Sequence, residues 1–476
     1  MYAYTIVCIL HILQKNALKP KTRSPGHPFS CAHLLKLFLG LLPLKALLNL
    51  PSIKAKRFYH RLFTPLVTLW YFVFQRLTDD HSLEACLCDA FSGGADALNE
   101  KLASQLRSQS TASLSDARQN IPWQFFEDVL RLQARRIGQW TSSALWHGRL
   151  VALMDGSTVR LRPFASIAKT FAPHRNQKSQ AYWCLMRVVV TFCARSGAAL
   201  DCAMETMDRS EQALACRLIA RAVGPHLLVG DRNFGIFRIV QTASLAGHDV
   251  LFRLTKSRAR KLLGAPLRQG SYAVKWKPSR HDQLEDSCST QPVAGRLIVA
   301  TVQTVQGRFQ QLYLFTSLPD TCEFSMEELV RLYGLRWHVE LNLRYLKDQM
   351  DLAQLECKSA DMARKEWLAG LLAYNLIRAA QLCAGLKKGI DPLTLSFSSA
   401  RRRLEVWLAH FGRKSCGIVA SWTQMLDALG RCRRARRRKP RPNEPRAQRH
   451  LRQNFPPLHG SRAKARRRLG KYASKS

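Results

Sequence analysis

The chain has 476 residues, a hydrophobic fraction of 46% and 74 Lys+Arg against 33 Asp+Glu, so its formal net charge is +41. That length suits about three domains, the hydrophobic fraction supports large cores, and the charge excess calls for a polyanionic partner, nucleic acid first of all. Fourteen cysteines are scattered without a C-x2-C pair, which argues against a zinc site or a secreted disulfide framework and for free thiols in a reducing cytoplasm.

Residues 1–33 carry Pro20, Pro25, Pro28 and several cations and read as a basic, poorly ordered leader. Tyr2 to Leu13 is apolar but too short to span a bilayer. The Leu-rich stretch 34–50 is interrupted by Lys36, Gly40, Pro43 and Lys45. No membrane segment is expected, and the absence of a targeting signal places the protein in the cytoplasm, associated with the nucleoid. Residues 34–148 follow a helical pattern and read as a mostly helical N-terminal domain.

From 149 the pattern turns to alternating strands and helices, the first part over 149–255 of a core with a mixed sheet covered by helices. RLVALMDGSTVRL (149–161) reads as a strand, a turn at Gly156 and a second strand. RVVVTFC (187–193) is a β-branched run fit for a buried strand. SEQALACRLIARAVG (210–224) is a helix with Ser210 as N-cap and Gly224 as its stop. HLLVG (226–230), the helix 236–247 and DVLFRL (249–254) complete the alternation. Residues 256–322 hold three strand-like runs between polar turns and read as a small β-rich insertion. The second part of the core, 323–430, opens on SMEELVRLYGLRWHVELNLRYLKDQM (325–350). It reads as one helix with a Ser325/Glu328 capping-box pattern, followed by the buried helix 367–386. The tail 431–476 carries 18 Lys/Arg against the single acid Glu444, with five prolines, and reads as disordered when free.

Within 325–350, Tyr333, Arg336, Glu340 and Lys347 are spaced 3, 4 and 7 apart, intervals that keep all four on one helical face. A carboxylate flanked by cations and a phenol suits a metal ion and phosphates better than a core. Two further acids stand at the ends of apolar strands. Asp155 follows VALM and precedes Gly156; Asp231 follows HLLVG and precedes Arg232-Asn233-Phe234-Gly235. An acid in that position is costly unless it caps an element or does chemistry. Asp201, Glu205, Asp208 and Asp249 are further acids without matching context, Asp201 being the best spare.

The spacing Y-x2-R-x3-E-x6-K resembles the signature of DDE transposases of the insertion-sequence-four type. LMDGSTVRL resembles that family's first-Asp motif and GDRNFG its second, in the right order. Ser113–Arg118 and Tyr374-Asn375-Leu376-Ile377-Arg378 resemble its N-terminal region and post-signature helix. The resemblance implies an α/β fold with a ribonuclease-H-like mixed sheet and flanking helices as catalytic core (149–255 and 323–430), a β-rich insertion (256–322) that covers the active site, and a helical N-terminal domain (34–148) that binds DNA. It implies Asp155, Asp231 and Glu340 as catalytic metal ligands for two Mg²⁺ (or Mn²⁺) ions. Arg336, Lys347, Tyr333 and Arg232 would meet DNA phosphates.

In the insertion, Tyr272, Trp276 and Phe309 are aromatics that could stack on an extruded base, or simply fill a core. Trp276, flanked by Lys275 and Lys277, is the best placed of them. The implied activity is cut-and-paste transposition: cleavage at the terminal inverted repeats, then transfer of the 3′-hydroxyl into target DNA by a homodimer formed on double-stranded DNA. A related nuclease without strand transfer and an inactive DNA-binding remnant are the alternatives. An RNA-binding protein that uses the tail would leave the carboxylate set a coincidence.

Overall fold

A computed structural model describes residues 34–43, 46–47, 49–54, 62–141, 145–175, 180–283, 291–303, 309–411, 418–434, 461, 463–464 and 467. The leader 1–33 and most of the tail beyond 434 lie outside the described residues.

The N-terminal region is helical, as α1 (Leu34–Leu41), α2 (Pro65–Leu77), α3 (Leu83–Phe91), α4 (Ala112–Asn120) and α5 (Trp123–Trp140). Thr64 caps α2, accepting from Val67 N–H at 3.3 Å. Pro65 sits in the first turn, where its missing N–H costs nothing.

One mixed sheet follows. Its strands are β1 (Leu150–Leu161), β2 (Pro173–Arg175), β3 (Gln180–Cys193), β4 (Ala199–Glu205), β5 (His226–Gly230), β6 (Asp249–Arg253), β7 (Gly270–Trp276), β8 (Val293–Gln303), β9 (Phe309–Thr316) and β10 (Gln354–Leu355). β4, β3 and β1 run antiparallel to their neighbours, and β1, β5 and β6 run parallel. The order β4-β3-β1-β5-β6, with the antiparallel strands first and the parallel pair reached through helices, is that of a ribonuclease-H-like sheet. Between the parallel strands lie α6 (Glu211–Arg221) and α7 (Phe237–Leu245), with α8 (Lys256–Leu263) after β6. Ser210 caps α6 by accepting from Ala213 N–H at 3.1 Å.

Two sequence expectations change here. β1 runs unbroken through Gly156, paired with β3 from Ala152 to Leu161, so Gly156 makes no turn. The strands of 256–322 do not stand over the sheet. β9 pairs with β6, β8 with β9 and β7 with β8, which extends the same sheet at its far edge.

The period-2 alternation of the strands feeds two cores. Leu153, Val159, Val190, Val229 and Leu251 face the larger core, shared with the N-terminal helices and with α9 (Met326–Gly334), α10 (Trp337–Arg344) and α11 (Ala360–Lys388). Ala152, Met154, Val189, Leu228 and Val250 face the smaller core, shared with α6, α7 and the strands β7–β9. α11 is buried on nearly all sides. Asn375 from α11 grips β4 directly, its Oδ1 accepting from Ala199 N–H at 2.7 Å and its Nδ2 donating to Ala199 O at 2.9 Å. α12 (Phe397–Phe411) and α13 (Ile418–Arg431) close the described C-terminal part.

Candidate active site

β1 and β5 pair in parallel with Leu150 opposite His226 and Leu153 opposite Val229, an offset of 76 residues (226 − 150). Asp155 and Asp231 are also 76 apart (231 − 155), so each stands two positions beyond the last pair in the same register. Adjacent strands lie about 4.8 Å apart, and equal parity sends both side chains to the same face. The next strand adds a third member. β5 and β6 pair with Gly230 opposite Phe252, so the same register sets Arg253 beside Asp231. Its signal in the sequence is a cation at the end of the apolar run DVLF, which the sequence reading did not single out.

The GDRNFG motif can be read position by position. Phe234 is fully buried in the smaller core and anchors the turn. A Cβ on Gly235 would lie 2.3 Å from the carbonyl oxygen of Arg253, so only glycine lets the turn lie this close to β6. Asp231 Oδ1 accepts from Asn233 N–H at 2.8 Å, and Arg232 is exposed. On β1, Asp155 Oδ1 accepts from Gly156 N–H at 2.8 Å.

Opposite the two aspartates, α9 and α10 present the signature residues, with α10 packed against β1. The single helix expected over 325–350 is instead broken. Leu335 and Arg336 form a tightened turn, with Arg336 N–H donating to Tyr333 O and Val339 N–H to Arg336 O, both at 3.0 Å. Residues Tyr345–Gln349 then form a π-helical turn. Such wide turns rotate the face that follows them. The regular α-helical stripe is therefore interrupted between Tyr333 and Lys347. Lys347 sits in the π turn, with Asp348 and Arg160 of β1 as its charged neighbours, and burial pulls its pKa below the ordinary lysine value.

Arg336 Nη2 donates to Glu340 Oε1 at 2.7 Å. Burial opposes the charge on Arg336, but that bond, with Tyr333, Glu340 and Asp155 nearby, holds its pKa above the usual value. Asp155 is pushed up to about 6, first by burial and then by the like charges of Asp231 and Glu340, against its bond from Gly156 and the attraction of Arg336. Asp155, Asp231, Glu340 and Arg336 thus share one electrostatic site. Tyr333 belongs to its wall. It is 8% exposed, with Arg336, Arg253 and Asp231 as neighbours, and burial first of all pushes it up to about 12.

Trp276 does not belong to the site. It is 8% exposed and packs edge-on against Phe237 and Phe315 in the smaller core, with ring centroids 6.4 and 4.9 Å away. Its alternation on β7 buries it, and Lys275 and Lys277 flank it only along the chain. The exposed aromatic near the carboxylates is Trp337, 63% exposed, with the Arg336 guanidinium 5.5 Å from its ring. Asp201, the spare acid, is engaged by Arg221 through two bonds of 2.6 and 2.9 Å and serves structure.

Among the described residues, no three His, Cys, Asp or Glu side chains stand close enough to hold one ion. The donor set nonetheless fits hard divalent cations. It is all carboxylate oxygen from separate elements, it is partly desolvated, and its mutual repulsion raises the pKa of Asp155.

A ribonuclease-H-like sheet carrying two aspartates side by side, with a glutamate from an opposing helix, defines a DDE-type polynucleotidyl transferase. Residues 146–376 match the family described as transposase DDE domain. The transposase InsG of insertion sequence element IS4 from Escherichia coli (strain K12) is 25% identical over 311 residues, 64% of this chain and 69% of InsG. The putative transposase InsL of insertion sequence element IS186A, from the same strain, is 36% identical over 83 residues, 17% of this chain and 21% of InsL. Among solved structures, a cryo-EM structure of the piggyBac transposase synaptic complex with hairpin DNA aligns at a TM-score of 0.41 and 9% identity, covering 84% of this chain and 85% of that one. These matches support a DDE transposase of the insertion-sequence-four type. It is an enzyme of mobile DNA, and divalent metal use is general in that family. Among the described residues, no helix is long and apolar enough to cross a membrane.

Proposed function

We propose that the protein cuts DNA at the ends of its own element and joins the freed 3′-hydroxyl to target DNA. The observation that carries this reading is the shared register of Asp155 and Asp231, with Glu340 and Arg336 facing them. Asp155, Asp231 and Glu340 would hold two Mg²⁺ (or Mn²⁺) ions. When bound, those ions supply an activated water or 3′-hydroxyl and steady the leaving oxygen.

The protein's own groups do the rest. Arg336, held by Glu340 through one guanidinium nitrogen, keeps further N–H donors for the phosphate at the cut. Arg253 and exposed Arg232 flank Asp231 and extend positive charge along the strand ends. Lys347 and Arg160 form a second cationic pair further along β1, suited to the DNA backbone on either side of the cut. Trp337, rather than Trp276, offers an aromatic face that a displaced base could stack on. Two DNA ends must be handled together, so the working form is a homodimer assembled on double-stranded DNA, in the cytoplasm at the nucleoid.

The test is an assay on a labelled duplex bearing the element's terminal repeat, with a supercoiled target and Mg²⁺. Cleaved ends joined to target are expected from the wild type. Asp155→Ala, Asp231→Ala and Glu340→Ala should each retain end binding and lose cleavage. Cleavage without joined products would make the protein a nuclease instead, and substantial Mg²⁺-dependent cutting by any one mutant would reject that residue's assignment.

A further inference from the structure

Gly156 lies in mid-strand next to Asp155, where no turn calls for glycine. The reason for the glycine is across the sheet. A Cβ at position 156 would come within 2.5 Å of the Glu211 carboxyl carbon and within 2.7 and 2.9 Å of its two oxygens. Glu211 is the first residue of α6, and its carboxylate is pressed against β1 on the face opposite Asp155. The same carboxylate also reaches the second aspartate's turn. Glu211 Oε2 accepts from Asn233 Nδ2 at 2.6 Å, and Gln212 Nε2 donates to Asn233 Oδ1 at 2.5 Å. Each end of the Asn233 amide is therefore fixed by a partner of the opposite hydrogen-bonding type, and the backbone N–H of that same residue grips Asp231 Oδ1 at 2.8 Å.

We infer that Glu211 is a positioning residue for DNA cleavage: its carboxylate sets Asp155 and Asp231 relative to one another, by contact with β1 at Gly156 and through Asn233 at the second turn. Outer groups that orient metal ligands change metal affinity or activity by about 10- to 100-fold when removed. The inference rests on the proposed function, because it assigns Glu211 a part in the metal geometry of Asp155 and Asp231.

The experiment uses the full chain, with Mn²⁺ as probe. It reads both the Mn²⁺ concentration for half-maximal cleavage of a labelled end duplex and the thermal shift that Mn²⁺ produces without DNA. Glu211→Ala should raise the Mn²⁺ requirement about 10-fold or more and shrink the thermal shift, with metal-free end binding unchanged. Glu211→Gln keeps an acceptor oxygen for Asn233 and should stay within a few-fold of wild type. Asn233→Asp sets two carboxylates against each other and should match Glu211→Ala. Combining it with Glu211→Gln exchanges donor for acceptor and should restore function. That swap decides the question even if Glu211→Ala fails to fold.

The inference is overturned if Glu211→Ala and Asn233→Asp behave as wild type. It is also overturned if the double swap is no better than Asn233→Asp, or if Glu211→Gln is as impaired as Glu211→Ala, which would make Glu211 a ligand by charge. Asp231→Ala is the control. If it is inactive in the same assay, a negative result counts against Glu211 alone; if it cuts, the proposed role of Asp231 falls and the inference with it.

Discussion

Asp155 and Asp231 occupy one level of two hydrogen-bonded parallel strands, because the offset of 76 that pairs Leu153 with Val229 is also their separation in the chain. A shift of one residue would send one of the two carboxylates to the opposite face of the sheet. The hydrophobic alternation that buries Leu153 and Val229 in the larger core therefore also forces the two acids together. Their repulsion is a consequence of good packing.

That repulsion gives a pH dependence. With Asp155 pushed up to about 6 from an ordinary value of 3.8, the folded protein binds the proton more tightly than the unfolded chain does. Its contribution to stability is complete below about pH 4 and is lost as pH rises through about 6, amounting to about 3 kcal/mol in the absence of metal. Protons and divalent ions compete for the same oxygens, so Mn²⁺ affinity should climb with pH over that window. Metal-free denaturation from about pH 4 to 7 checks the first point, with Asp155→Asn expected to flatten the profile. An unchanged profile in that variant would assign the titration elsewhere.

The two tryptophans should separate cleanly. Trp276→Ala removes a buried ring from the smaller core and should cost about 3 kcal/mol of stability, visible in a denaturant titration. Trp337→Ala removes an exposed ring beside Arg336 and should leave the melting temperature nearly unchanged while lowering end cleavage. Equal melting losses in both would place Trp337 in the fold and not on the DNA.

The signature cations divide in the same way. Arg336→Ala frees Glu340 from its partner and removes a phosphate donor, so it should depress cleavage more than end binding. Lys347→Ala should weaken end binding and strand transfer with little effect on cleavage chemistry, since its neighbours are Arg160 and Asp348 and not the aspartates. Band-shift titrations and single-turnover cleavage measured side by side would expose a reversed pattern.

Arg433 and Arg434 are tied to the fold, through the bridge from Arg433 to Leu395 and the bond from Arg434 N–H to Thr394 O at 2.8 Å. Truncation after Arg434 leaves those ties in place and removes most of the tail's cations. The salt dependence of binding to random-sequence duplex should flatten, by about 0.9 in log–log slope for each phosphate that the tail no longer neutralises. Preference for the element's ends should survive, because phosphate contacts position and base contacts specify. Equal slopes for the two proteins would remove the tail from DNA binding.

By itself, the sequence determined the strands HLLVG and DVLFRL, the Ser210 and Ser325 caps, and which three acids stand out as candidates for the site. Each of these is written in local pattern: apolar runs, cap residues, and an acid stranded at the end of a buried strand. Only the tertiary structure decided the rest. Gly156 reads as a turn because glycine usually marks one, yet it stays extended in the ladder with β3, and it is glycine because Glu211, 55 residues away (211 − 156), occupies the space of a side chain. Trp276 looks solvent-facing between two lysines, yet period-2 alternation turns it into a core that forms only when β7 joins the far edge of the sheet. Lys347 falls on the signature stripe of an ideal helix, yet the turn at Leu335–Arg336 and the π turn at Tyr345–Gln349 move it toward Arg160. Local pattern states which residue types are present and what they favour nearby. Register between distant strands, and the space that remains once they pack, are set only by contacts that close the fold.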